Sequence, residues 1–189
     1  MIVGITGRIA SGKGVLTNYL MDLGFKQISL SQEVREEATI RGLEITRENL
    51  QNLGDEMRRQ FGAGIWAKKV VERINKENYP NWVIEGIRNP AEIIEFKKLK
   101  NFFLVAIDAD RELRFKRLLQ RSKPSDPRIF EEFVKIDDRD FCDLNNELGQ
   151  QVGKCMQLAD FEIENNSSFQ EMSEKVKEVY YQIKNKIKA

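Results

Sequence analysis

Residues 7–14 read G-R-I-A-S-G-K-G, and no other stretch restricts the fold as tightly. The apolar run "IVGIT" (2–6) precedes it and a helix-like stretch through about Leu23 follows, so the chain turns sharply from a buried strand into a helix. A G-x-x-x-x-G-K string in that context is a phosphate-binding loop. Phosphate oxygens need several amides pointing inward at close range, which glycines permit. The helix N-terminus adds positive potential and Lys13 adds a full charge. Gly7, Ala10, Ser11, Gly12, Lys13, Gly14 and Val15 are therefore the candidate nucleotide-binding residues of the loop. The position after the lysine, which in many such loops is a serine or threonine on Mg²⁺, is Gly14 here, and Val15 follows it.

The rest of the chain repeats the strand-then-helix pattern. "FKQISL" (25–30), "WVIEG" (82–86), "FFLVAID" (102–108) and "DFEIEN" (160–165) supply four further strand candidates. The stretch from Ser31 to about Lys76 reads as helical, broken near Gly42 and Gly62, with Thr46 as an N-cap. "NPAE" (89–92) places asparagine at an N-cap, proline at the first helical position and glutamate two residues later. A basic helix spans about 111–121, a polar loop "SKPSDPR" (122–128) follows as the best candidate for a mobile segment, and helical segments run to about Leu158. In the last helix Phe169, Met172, Val176, Val179, Tyr180, Ile183 and Ile187 form one apolar face. Strands alternating with helices define an α/β class, a three-layer α/β/α sandwich around a five-stranded, mostly parallel sheet. With 189 residues the chain reads as a single domain.

Composition narrows the chemistry. The chain has no histidine, which removes histidine general acid/base catalysis and every Ser-His or Cys-His triad. Its two cysteines, Cys142 and Cys155, make no four-ligand zinc site and are expected as small apolar side chains rather than a disulfide. Lysine and arginine number 31 against 30 acids, so no global field draws the chain to nucleic acid or to a membrane, and anion recognition must be local. No apolar run reaches the roughly 20 residues of a membrane span, and a strand-like start takes the place of a signal peptide, so a cytoplasmic location is expected. Oligomeric state, monomer or dimer, stays open.

The G-K-G form resembles adenylate kinases, whose loops read G-x-x-G-x-G-K-G-T, and the likeness to nucleoside monophosphate kinases extends further. "SLSQEVREEA" (29–38) resembles their S-x-G-D-x-x-R segment and puts Arg35 where that family grips the acceptor phosphate. "WVIEGIR" (82–88) resembles V-I-D-G-F-P-R, with Arg88 as a second clamp and Glu85 in place of the aspartate, one residue short. "IDADRELRFKRLLQR" (107–121) is similar to the entry to their lid, where two arginines four apart serve the adenine face and the transferred phosphoryl; here these are Arg117 and Arg121. The resemblance implies the P-loop-containing nucleoside triphosphate hydrolase fold, a helical acceptor-binding subregion at 31–78 and a lid at 117–140. It also implies ATP and Mg²⁺ as cofactors and a small-molecule nucleotide acceptor. Lys13, Arg88 and Arg121 are then the catalytic candidates, and Glu85 the candidate for holding magnesium indirectly. Arg128 and Arg139, in or after the lid, are open between phosphate contacts and surface residues.

Dephospho-coenzyme A kinases resemble the whole chain as well. They open with T-G-G-I-G-S-G-K-S-T, similar to "TGRIASGKGVL", and end with A-D-x-V-I-x-N-N-G, similar to "LADFEIENNSSFQEM" (158–172). That ending implies Asn165, Asn166 and Ser167 beside the adenine; the serines also read as a turn and N-cap. The two readings differ in acceptor. A sugar hydroxyl benefits from a carboxylate that accepts its proton, whereas a phosphate is already a nucleophile and needs its charge neutralised. After the second strand, where the hydroxyl kinases carry aspartate, this chain has Ser29, Leu30, Ser31 and Gln32, with Glu33 the nearest acid and an acceptor-site candidate. Arg35 and Arg88 suit a phosphate, so a nucleoside monophosphate acceptor is expected, with dephospho-coenzyme A as the alternative. A regulator that binds adenine nucleotide without transfer is a third reading; the GTPase strings N-K-x-D and D-x-x-G do not occur.

Overall fold

The computed structural model describes residues 1–121, 126–142 and 146–188. Five strands form one sheet in the order β2-β3-β1-β4-β5, with every pairing parallel. They are β1 (Ile2–Thr6), β2 (Lys26–Ser29), β3 (Trp82–Glu85), β4 (Phe102–Asp108) and β5 (Phe161–Glu164). β1 is central, and its five residues are all buried, as expected of a strand covered on both faces.

Alternate side chains of each strand go to opposite faces, and each face has its own core. Val3, Ile5, Val83, Val105, Ile107 and Ile163 pack against Leu16 and Leu20 of α1 (Lys13–Asp22) and Met172, Val176, Val179 and Ile183 of α9 (Phe169–Lys188). On the other face Ile2, Ile28, Ile84 and Leu104 pack beneath α2 (Leu30–Ile40), α3 (Arg47–Phe61), α4 (Ile65–Glu77), α5 (Pro90–Phe96) and α8 (Val152–Gln157), with Trp66 and Phe96 fully buried. Helices α6 (Arg111–Arg121) and α7 (Phe130–Phe141) stand at the C-terminal end of β4. This is the three-layer α/β/α sandwich.

Helix starts follow their local chemistry. Thr46 Oγ1 accepts the Asn49 amide at 3.1 Å, and Asn89 and Glu92 form the reciprocal capping box ahead of Pro90. One boundary differs from expectation: the second strand stops at Ser29 because the buried Leu30 already belongs to α2. The helical segments expected up to about Leu158 include α7 and α8. Both cysteines are free thiols, Cys155 buried and Cys142 half-buried. Part of the 122–128 loop, residues 122–125, lies outside the described residues. Among the described residues no helix is long and apolar enough to cross a membrane.

Candidate active site

The C-terminal ends of the parallel strands converge on one crevice, the usual ligand position of such sheets. The loop after β1 is built for anions. Gly7 has φ 136°, and a Cβ there would lie 2.0 Å from the Ile107 carbonyl oxygen; Gly12 has φ 98°, and a Cβ there would meet Asn165 Nδ2 at 2.2 Å. Neither position admits a side chain. Ala10 also adopts the left-handed conformation, at φ 58°, which turns successive amides inward. Lys13 Nζ donates to the carbonyls of Gly7 (2.9 Å) and Arg8 (2.6 Å), so its charge sits inside the loop. Burial, then the nearby Arg88, hold its pKa down to about 8, with Arg121 acting in the same sense and Glu85 and Asp140 opposing.

Two cavities meet here. The phosphate cavity, about 630 Å³, is lined by Gly7–Gly14, Ser29, Glu85, Arg117, Arg121, Asp137, Asp140 and Phe141, among others. The second, about 490 Å³, lies under α2 and α3 and is lined by Leu30, Val34, Arg35, Ile45, Leu50, Asp55, Arg58, Trp66, Arg139 and Gln150, among others. Ile9, Ser31, Gly86, Arg88 and Asp126 line both. The backbone carrying Arg88 is fixed on every side. Its N–H donates to Glu92 Oε2 (2.8 Å), its carbonyl accepts from Gln151 N (2.7 Å), and the Ile87 carbonyl accepts from Thr6 Oγ1 (2.9 Å). Burial raises the pKa of the Glu92 carboxyl, which Arg58 and the amides of Arg88 and Asn89 oppose. Arg121 is bidentate with Asp126, at 2.6 and 2.9 Å.

The structure therefore brings Lys13, Arg88 and Arg121 into one cavity and puts Arg35 and Arg88 on the second. Other expectations land elsewhere. Glu33 lines neither cavity; it is buried between α2 and α4, 3.2 Å from Arg73. Asn165 lies beneath the loop: its Nδ2 donates to the Ser11 carbonyl (2.9 Å), while its own carbonyl accepts from Arg117 (2.9 Å). Asn166 turns away to Asp110 and Glu164. Ser168 Oγ accepts the Glu171 amide at 3.3 Å, while Ser167 Oγ is buried with no partner among the described residues. Of the basic helix α6, Arg117 and Arg121 line the phosphate cavity, while Arg111 and Arg114 turn to acids of α7. Arg128 is exposed and lines neither cavity.

Several cavity residues escape sequence reasoning. Asp126 and Asp140 come from the loop before α7 and from α7 itself, where spacing assigns nothing. Arg58 sits on an ordinary amphipathic helix, and only the fold turns it toward Arg88 and Glu92. Among the described residues no cluster of three or more metal-ligating side chains occurs. Mg²⁺ keeps most of its waters and binds through one or two carboxylates plus substrate phosphates; Glu85, in the cavity wall with Gly14, is one carboxylate that could hold it.

Residues 3–139 match the family model of an AAA domain. A UPF0200 protein of Pyrococcus horikoshii is 34% identical over 188 residues, covering 97% of each chain. The chain belongs to the AAA-domain family and to the UPF0200 proteins. Among solved structures, dephospho-CoA kinase from Campylobacter jejuni superposes with TM-score 0.54 at 20% identity, over 96% of each chain. Shikimate kinase from Aquifex aeolicus does so with TM-score 0.53 at 19% identity, over 99% of this chain and 98% of that one. This UPF0200 chain thus has the P-loop kinase-like fold. At such identities the likeness extends to the fold alone, so its chemistry must be argued from its own two cavities.

Proposed function

We propose that the protein is an ATP-dependent small-molecule kinase that transfers the γ-phosphoryl group of ATP to a ribo- or deoxyribonucleoside monophosphate. The observation that carries this reading is the wall shared by the two cavities, with Arg88 in it, Lys13 and Arg121 on the loop side, and Arg35, Arg58 and Arg139 on the other. An acceptor phosphate oxygen attacks the γ-phosphorus, the bond to the β–γ bridging oxygen breaks, and ADP leaves with the electron pair. The protein has little covalent work in such a step; it positions the two anions and neutralises their charge. The loop amides and Lys13 hold the donor phosphates. Arg117, whose Nη1 is buried with no partner among the described residues, and Arg121 meet the donor from α6, while Arg88 reaches both substrates. Glu85 would hold magnesium, which would supply neutralising charge to the phosphates.

One observation favours the dephospho-coenzyme A reading: Asp126, in the shared wall, is a carboxylate where a hydroxyl acceptor needs one. Both of its oxygens are taken by Arg121, which weighs against a proton-accepting role. A coupled ATP-consumption screen over ribo- and deoxyribonucleoside monophosphates and dephospho-coenzyme A separates the cases. Turnover with one or a few monophosphates is expected. Selective use of dephospho-coenzyme A would move the assignment to a hydroxyl acceptor, and no acceptor-dependent turnover would favour a nucleotide-binding regulator.

A further inference from the structure

Gly14 leaves the loop without the hydroxyl that ordinarily serves the metal, yet a Cβ at Gly14 would meet no atom of the described residues within 4 Å, so their packing does not forbid one. One helical turn after Lys13, on the same face of α1, stands Thr17, buried to 2% exposure. Its hydroxyl donates to Glu85 Oε1 at 2.5 Å and lies 3.4 Å from the Lys13 carbonyl. Gln27 Nε2 donates to the other carboxylate oxygen, Oε2, at 2.7 Å. Glu85 thus has both oxygens tied, one to the helix that begins at the phosphate loop and one to the neighbouring strand. A glutamate has one more side-chain torsion than an aspartate at the same strand end, and these two bonds remove that freedom. The restrained carboxylate lines the phosphate cavity and is close enough to oppose the downward shift of the Lys13 ammonium.

We propose that Thr17 is a positioning residue for magnesium: its hydroxyl, one turn beyond the vacant loop position, fixes Glu85 in the orientation from which that carboxylate holds the ion of the metal–nucleotide complex. The proposal rests on the reading of the chain as a binder of magnesium nucleotide. Partners of ligating carboxylates change metal affinity by about 10–100-fold when removed.

The test is calorimetric ATP binding by the full chain across a Mg²⁺ titration and in EDTA, with Mn²⁺ EPR as a direct metal readout. Thr17→Val should weaken Mg²⁺ and Mn²⁺ binding to the nucleotide complex by about 10–100-fold, leave metal-free ATP affinity unchanged, and be rescued by Thr17→Ser. Glu85→Gln, at the half-buried end of a strand, should reproduce the loss, and adding Thr17→Val to it should cost nothing more. Unaltered metal dependence in a folded Thr17→Val chain would leave Thr17 a packing residue and overturn the proposal, as would unaltered dependence in Glu85→Gln. A chain that binds no nucleotide, with or without metal, overturns the kinase reading itself and this inference with it.

Discussion

Lys13 has a pKa of about 8 because burial and the cations Arg88 and Arg121 disfavour its charge more than Glu85 and Asp140 restore it. A polyphosphate among these groups reverses that balance and returns the lysine toward its ordinary value near 10.4. Between those two values the free protein carries a neutral amine and the complex an ammonium, so ATP binding takes up a proton. Calorimetry at pH 8 to 9 in buffers of different ionisation enthalpy should show this uptake. Affinity should fall as pH rises through about 8, because binding must then protonate the lysine. Lys13→Met should abolish the uptake; uptake that persists in that variant would place the titrating group elsewhere.

Among elements, the link between β3 and α5 governs where Arg88 stands. Asn89 caps α5 through the Ala91 amide (3.0 Å), and its Nδ2 donates to the carbonyls of Gly149 (2.9 Å) and Glu147 (3.2 Å). Asn89→Ala removes the cap and leaves a buried carbonyl without its donor. Unfolding in urea should show a loss of about 1–3 kcal/mol, and a loss under 0.5 kcal/mol would contradict this view of the junction. This cap is legible in "NPAE", as are the phosphate loop and the order of elements, because each depends on neighbours along the chain. The contacts that Glu33 and Asn165 make are not legible, for the complementary reason. Whether Glu33 faces Arg73 or a ligand depends on how α4 lies against α2, and whether Asn165 faces a base or the Ser11 carbonyl depends on the approach of β5 to the loop. No local pattern encodes either approach.

At the scale of the whole molecule, helices α6 and α7 are bolted to the phosphate loop by charge. Asp137 of α7, 1% exposed, is held by Arg114 (2.5 and 2.9 Å), by Arg8 of the loop (2.8 Å) and by Arg111 (3.4 Å). Arg8 also stacks on the Phe141 ring, its guanidinium carbon 3.8 Å from the centroid, and Arg114 donates to the Ile9 carbonyl. Removing one member of a buried pair strands the other's charge, so Asp137→Asn should destabilise the protein by about 3–5 kcal/mol, read from its urea midpoint. A change below 1 kcal/mol would mean that α7 is anchored by its apolar face alone.

In the proposed reaction the anions of the two cavities meet at Arg88, which lines both, and a phosphoryl group passes from one to the other. Phosphorus NMR of the full chain with ATP, Mg²⁺ and the panel of nucleoside monophosphates follows that group directly. The expected result is γ-phosphorus appearing in a nucleoside diphosphate formed from the acceptor, with transfer at least 100-fold slower in a folded Lys13→Ala or Arg88→Ala chain, an order of magnitude typical of lost transition-state electrostatics. Release of inorganic phosphate alone, or ATP bound and unconsumed across the whole panel, would contradict it.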